Sequence, residues 1–346
     1  MTRLLTLLLA AMLLHPMPVR AQEAVAEFGT GATRLNVRST TDIGIVRPVI
    51  DRFIDLNPDL SIRYEQWGSN ALFANSRAAC AGDDPPADVV LSSAVQQMVW
   101  LVNAACAHRY RSTLTAALPS ARIWRDELWG ITAEPAVIVY NKHLLDSAQV
   151  PRSRFALLDA MRNRPDMLRN RIATYDIAES GLGYLFAFSD SLEATTFGAM
   201  LEGFARVDAI ATCCSAEIIQ GVATGRFLIA YNVLGSYVAT ARHPEIGVIL
   251  PEDYTLILSR AFMIPRGAPN SAGAERFLDF LLSPQAQPTL IQSGLLTVLD
   301  PQETGLLPSA RRAISLSPAL LVALDKHRRQ GLFALWDDAF RPVGGP

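Results

Sequence analysis

Two series of alternating strands and helices, separated by one long apolar strand, constrain the fold of this chain more than any other feature. Residues 35–38 are extended, and Ile45, Val49, Phe53 and Leu56 then recur at helical spacing, which makes one βα step. Residues 61–66 read as the next strand, 70–80 as a helix, and 87–91 as a buried strand leading into a helix over 94–102. The pattern predicts a largely parallel sheet covered by helices. At 134–141 the sequence EPAVIVYN is an almost unbroken apolar strand, after which the series restarts: strand 171–175, helices 181–188 and 216–224, strands 227–232 and 246–250. The strand over 255–264 is long enough to return the chain to the first unit. Two crossings between two α/β units make a hinge with a crevice beside it. From Ala272 the chain turns helical, with Phe277, Phe280, Leu281 and Leu290 on one face.

The N-terminus sets the compartment. Met-Thr-Arg is followed by an apolar run from Leu4 to Leu14, then Pro16, Pro18 and the site Val19-Arg20-Ala21. This predicts a secretory signal peptide over 1–21, cleaved after Ala21. About 325 residues remain, too many for one ordinary core and right for two lobes of about 150. With 31 basic and 33 acidic residues well mixed, the net charge of −2 points to neither nucleic acid nor an anionic membrane surface as partner. An exported chain meets an oxidising environment, so Cys80 and Cys106, which flank one strand-helix unit, are expected to pair. The bridge should stabilise by ~3 kcal/mol if the loop-entropy model holds. The adjacent Cys213 and Cys214 leave their pairing open. His108, His143, His243 and His327 are too scattered for a zinc site, so neither metal nor cofactor is expected.

Candidate ligand groups fall where a strand runs into a helix, because the first helical turn carries unpaired N–H donors and partial positive charge. The first such turn is Ser39, Thr40 and Thr41, the second Ser92 and Ser93, the third Ser180, Gly181 and Gly183, whose glycines let backbone approach a ligand closely. Plain N-capping is the commoner use of these residue types. Asn232 and Ser236, after a second-lobe strand, add an amide and a hydroxyl. Trp129 and Glu134 precede the first crossing; Trp129 serves equally as a core aromatic, and Glu134 receives ligand hydroxyls or holds a basic residue. Arg38 and Arg260 are candidate sources of positive charge. Three such turns facing one crevice favour an oxyanion.

The stretches 171–176 with 180–184, the block 231–237, and 259–265 before the helix at 274–284 resemble the ferric-iron-type class of ABC-transporter solute-binding proteins. The resemblance covers nearly all of the chain after residue 21. It implies a type II periplasmic binding fold of two α/β lobes: one over 35–133 plus 257–346, the other over 140–250, with hinge segments at 134–139 and 251–256. Iron binders of this class carry two adjacent tyrosines after the position of Asn232; here Val233 and Leu234 follow, so the ferric phenolate pair is missing. The sequence is more similar to the branch of the phosphoglycerate-transport regulatory protein and the sugar-phosphate and phosphonate binders. That likeness implies a periplasmic, monomeric binder of a small anionic ligand such as an organic phosphate, presented to an ABC permease or to a two-component sensor kinase. Two rivals stand beside it. One keeps the fold and binds ferric ion or ferric citrate. The other is an exported serine hydrolase using Ser39, Ser180 or Ser236, which lacks both a Gly-x-Ser-x-Gly elbow and a nearby histidine.

Overall fold

The computed structural model describes residues 22–340, so the expected signal peptide lies outside the described residues. The chain opens with β1 (Gln22–Phe28), β2 (Thr33–Ser39), α1 (Ile43–Leu56), β3 (Leu60–Trp67), α2 (Ser69–Ala81), β4 (Val89–Ser92) and α3 (Val95–Asn103). A short helix, α4 (Thr113–Ala116), precedes the small strands β5 (Ile123–Trp124) and β6 (Leu128–Gly130). The second unit holds β7 (Glu134–Asn141), α5 (Arg154–Asn163), α6 (Pro165–Leu168), β8 (Ile172–Tyr175), α7 (Gly181–Glu193), α8 (Phe197–Arg206) and β9 (Ile210–Thr212). It continues through α9 (Ser215–Ala223), β10 (Ile229–Leu234), α10 (Gly235–Ala241), β11 (Ile246–Ile249) and β12 (Thr255–Leu258). The chain then returns through β13 (Ala261–Met263), α11 (Ser271–Leu282) and α12 (Gln287–Gln292). It ends with α13 (Pro301–Thr304), β14 (Arg311–Ala313), a 3-10 stretch at Pro318–Leu324 and α14 (Lys326–Phe340).

Two seven-stranded sheets result. The first runs β1-β3-β2-β4-β13-β6-β5, the second β14-β12-β7-β10-β8-β9 with β11 also paired to β7. The βα steps are parallel as expected: β2 lies parallel to β3 and β4, and β8 to β9 and β10. Each sheet is nonetheless mixed rather than largely parallel. The strands that enter and leave at the crossings run against their neighbours: β13 against β4 and β6, β7 against β10, β11 and β12.

The first lobe buries the apolar stripe Ile45, Val46, Val49, Ile50 and Phe53 of α1. Phe53 packs at 4.8 Å from Phe277 and 5.3 Å from Phe280 of α11, so the returning chain completes that core. The second lobe has its own core around Leu158, Met161, Phe188, Phe204 and Tyr231. A third cluster joins the lobes, with Val95 and Val99 of α3, Tyr175 and Leu185, and Leu256 and Leu258. Cys80 and Cys106 form the expected disulfide, tying the end of α2 to the segment after α3.

The chain changes sheet at 131–133 and again at Ser259 and Arg260, and β7 lies wholly in the second sheet. The expected 255–264 strand is therefore two strands. It breaks where Ser259 Oγ donates to the Thr132 carbonyl and Thr132 Oγ1 accepts from the Arg260 N–H at 2.8 Å. The expectation that 257–346 belongs wholly to the first lobe also fails toward the C-terminus. β14 pairs with β12 of the second sheet, and Leu332, Trp336 and Ala339 of α14 join the second-lobe core. The 3-10 stretch packs on α3 of the first lobe, while the Ala323 carbonyl accepts from the Tyr184 hydroxyl of the second.

Candidate functional site

The cleft between the lobes encloses a cavity of about 620 Å³, bounded by the carboxyl ends of strands from both sheets. From the first lobe come Thr40 and Asp42 after β2, Gln66 and Trp67 ending β3, Ser69 and Asn70 opening α2, and Ser93 after β4; Glu23 of β1 stands at the rim. From the second come Tyr175 ending β8, Glu179, Ser180 and Leu182 around the start of α7, Cys213 to Ala216 between β9 and α9, and Tyr237 of α10. This is where open α/β sheets bind ligands.

Of the residues the sequence singles out, the structure brings Thr40, Ser93 and Ser180 to the cleft surface. The Thr40 and Ser93 hydroxyls lie 3.1 Å apart, and the Ser93 N–H donates to Thr40 Oγ1 at 3.0 Å, which joins two strand ends into one polar edge. Ser180 caps α7, its Oγ accepting from the Gly183 N–H at 3.0 Å. Ser39 and Ser92 are buried and accept from the N–H groups of Thr41 and Ala94, so capping of their own turns consumes them. Trp129 is wholly buried, edge-on to Tyr110 in the first-lobe core.

The two glycines sit where packing leaves no room for a side chain. A Cβ on Gly183 would lie 2.4 Å from Tyr175 Cβ, and one on Gly181 would meet Ala94 Cβ and Ser69 Oγ of the other lobe at 3.0 Å. Gly181 thus allows the lobes to touch, and its N–H donates to Ser69 Oγ at 2.8 Å while its carbonyl accepts from Gln96 Nε2 at 2.8 Å. Asn70 completes the contact by donating to the carbonyls of Ala178 and Glu179 at 2.9 and 3.0 Å.

Behind the cleft, Glu134 is fully buried and holds Arg260 through two bonds of 2.8 and 3.0 Å, with Thr132 and Ser236 also donating to it. Burial opposes the Arg260 charge, but Glu134 and the neighbouring Tyr237 and Tyr64 outweigh it and raise the pKa, so the guanidinium stays charged. Its Nη1 donates to Thr41 Oγ1 at 3.0 Å, which links the hinge to the first lobe. Glu134, Thr41 and Ser236 are thus buried and bonded to one another and to Arg260 at the crossing, and none of them lines the cavity. Asn232 lies deeper still, at a left-handed φ of 57° in a bulge of β10. Its Nδ2 donates to Asp190 at 2.6 Å, and that carboxylate also accepts from the hydroxyls of Tyr231 and Tyr254 and pairs with Arg154 at 3.1 Å. Arg38 is tied to Glu65 at 3.2 Å and Asn75 at 2.9 Å.

Neither candidate arginine thus supplies the cleft. Its lining residues carry the carboxylates of Glu23, Asp42 and Glu179 and no arginine, lysine or histidine. Asp42, which closes the first candidate turn, also lines the cleft, whereas Gln66, Ser69, Asn70, Tyr175 and Ser215 do so without having been singled out by the sequence. Their signal is shared, since each sits within a few residues of a strand's carboxyl end, but only the packing shows which ones face inward. Asp42 accepts from the Tyr237 hydroxyl across the cleft at 2.9 Å. Burial raises the Asp42 carboxyl above the ordinary aspartate range, opposed by the Tyr237 hydrogen bond and the Arg260 charge. Burial also pushes Tyr175 up to about 12, so its hydroxyl, 2.6 Å from Ser215 Oγ, remains protonated. Among the described residues no group of three or more His, Cys, Asp or Glu is placed to hold a metal ion, and no helix is long and apolar enough to cross a membrane.

The family model of the bacterial extracellular solute-binding proteins matches residues 39–288. The chain belongs to this family. A solute-binding protein of an ABC transporter from Agrobacterium tumefaciens shares its fold at a TM-score of 0.85 and 30% identity, over 92% of this chain and 98% of that one. The periplasmic binding protein AfuA of Actinobacillus pleuropneumoniae, solved with fructose-6-phosphate, matches at a TM-score of 0.69 and 16% identity over 90% and 100% of the two chains. The Trichodesmium protein IdiA (FutA), solved with iron and citrate, matches at 0.62 and 16% over 88% and 99%. These last two likenesses show the fold alone. No curated protein sequence matches the chain. As a solute-binding protein of this family, it works outside the cytoplasm and delivers a small ligand to a membrane permease.

Proposed function

We propose that this solute-binding protein captures a small hydroxyl-rich solute of the sugar class in the inter-lobe cleft and hands it to an ABC permease. The carrying observation is the charge of the lining: among the described residues it holds three carboxylates and no basic side chain. Carboxylates accept hydrogen bonds from solute hydroxyls and repel a bare anion, while the hydroxyls and amides of Thr40, Gln66, Asn70 and Ser93 add donors and acceptors around them. Solute bridging the lobes stabilises the closed form by its differential affinity, and the permease reads that form.

A second reading, an organic phosphate, is favoured by three helices, α2, α7 and α9, whose N-terminal turns all line the cavity and whose N–H groups suit a phosphate ester. The ferric reading finds no support in the tyrosines, because the Tyr231 hydroxyl donates to Asp190 in the second lobe and that of Tyr237 to Asp42 at the cleft. The test is thermal unfolding with matched pairs, fructose beside fructose-6-phosphate and glycerate beside phosphoglycerate, together with citrate and ferric citrate. A solute at about 100 times its dissociation constant stabilises by ~2.7 kcal/mol, a rise of a few degrees. A rise with a free sugar supports the proposal, and a rise confined to phosphorylated members selects the organic phosphate. Citrate or ferric citrate alone raising the midpoint would overturn both.

A further inference from the structure

The cleft has one wall that hydrogen bonding does not explain. At three of the strand-to-helix turns, a serine hydroxyl folds back onto backbone N–H: Ser39 onto Thr41, Ser92 onto Ala94, Ser180 onto Gly183. The turn between β9 and α9 carries a disulfide between the neighbours Cys213 and Cys214 instead, and both residues line the cavity. Cys214 occupies the N-cap of α9 and makes no side-chain capping bond, so the pair does not serve as a cap. Nor does it brace the fold. A disulfide stabilises chiefly by closing a loop in the unfolded chain, and neighbours close none, whereas Cys80 and Cys106 are 26 residues apart. What remains is the surface that its side chains present: two polarisable sulfurs and their β-carbons, none of which carries a hydrogen to donate to a polar partner.

We propose that the Cys213–Cys214 disulfide is a specificity-determining wall of the cleft, an apolar platform on which one face of the bound solute packs. It rests on the reading of the cleft as the site of a sugar-class solute, whose ring has polar edges and apolar C–H faces. The edges meet Asp42, Gln66 and Asn70. One face meets the disulfide from the second lobe, and Trp67 lines the same cavity from the first. An apolar patch among precisely placed polar groups is the usual composition of a small-molecule site, and the disulfide bond fixes the patch before binding, so little ordering cost is left for the complex.

The test compares the wild-type protein with the double variant Cys213→Ser/Cys214→Ser, in titration calorimetry against fructose, glucose and their 6-phosphates. The expected result is an unchanged melting midpoint without solute and a dissociation constant at least tenfold higher for the sugar that the wild type binds. Wild type reduced by a phosphine provides the second measurement. Each sulfur gains one electron and one proton to become a thiol, the phosphine gives up the two electrons and takes its oxygen from water to leave as the oxide, and mass analysis selects material in which Cys80–Cys106 is intact. The same loss is expected there, and this arm decides the matter if the double variant does not fold. Equal dissociation constants before and after loss of the bond overturn the platform alone. A wild type that binds none of the four overturns the sugar-class reading and the platform with it.

Discussion

At the scale of the residue, Asp42 carries the clearest conflict between stability and binding. Asp42 stands at the N-cap position of α1 without a side-chain capping bond; its half-buried carboxyl accepts from Tyr237, and burial holds its pKa above the ordinary value. A carboxyl raised in the folded state contributes stability that is fully present below its unfolded pKa of about 3.9 and is lost as pH climbs through the folded value. At neutral pH the ionised group is therefore a net burden on the unliganded fold. Asp42→Asn keeps an N-cap residue and an acceptor for Tyr237 but removes the charge. It should raise the melting midpoint at pH 7, with the gain shrinking toward zero as melts are repeated down to pH 4. A midpoint that falls at pH 7 would show that the charge is stabilised rather than penalised. Glu134 makes the opposite case. It is fully buried and fully partnered, and removing it leaves Arg260 as an uncompensated interior charge. Glu134→Ala should cost roughly 3–5 kcal/mol in chemical denaturation; a loss under 1 kcal/mol would mean that water reaches the hinge.

Among the elements, α2 and α3 both meet α7 of the second lobe, and the unit they bound is spanned by a covalent bond. Cys80 ends α2 and Cys106 follows α3, so their bond holds in register the two helices whose starts face the second lobe. Replacing both cysteines by serine should cost ~3 kcal/mol, visible as a lower denaturant midpoint. The m-value should stay about constant unless the unfolded chain also expands. The ends of these elements were legible in the sequence because strand period, helix period and turn chemistry are local. The C-terminal helix shows the limit: its apolar residues Leu332, Trp336 and Ala339 recur on one face, yet that face covers the second lobe, a choice made by β14 adding to β12.

For the whole molecule, function depends on how closely the lobes approach. Gly181 is one place where a side chain would push the lobes apart, since its Cβ would stand 2.8 Å from Gln97 Nε2 and 3.0 Å from Ala94 Cβ and Ser69 Oγ of the other lobe. Gly181→Val should hold the lobes apart while leaving each core intact. The expected outcome is a larger radius of gyration by small-angle scattering and at least tenfold weaker solute binding. A variant with unaltered radius and affinity would show that solute is bound without this contact.

The sequence by itself determined the two α/β units, the two returns between them, the Cys80–Cys106 bridge and the strand-end turns among which a site had to lie. All of these follow from patterns within some twenty residues, where period and turn chemistry act directly. Only the tertiary structure decided which side chains line the cleft. Glu134 and Arg260 meet across 126 residues, Asp42 and Tyr237 across 195. Whether a serine caps its own turn or faces the cleft depends on a few ångströms of packing that no local period encodes. The arginines show the same limit: Arg38 and Arg260 stand near strand ends as the sequence indicates, but Arg38 pairs with Glu65 on the adjacent strand and Arg260 with Glu134 from 126 residues away, and the cleft lining holds acids, hydroxyls, amides and a disulfide.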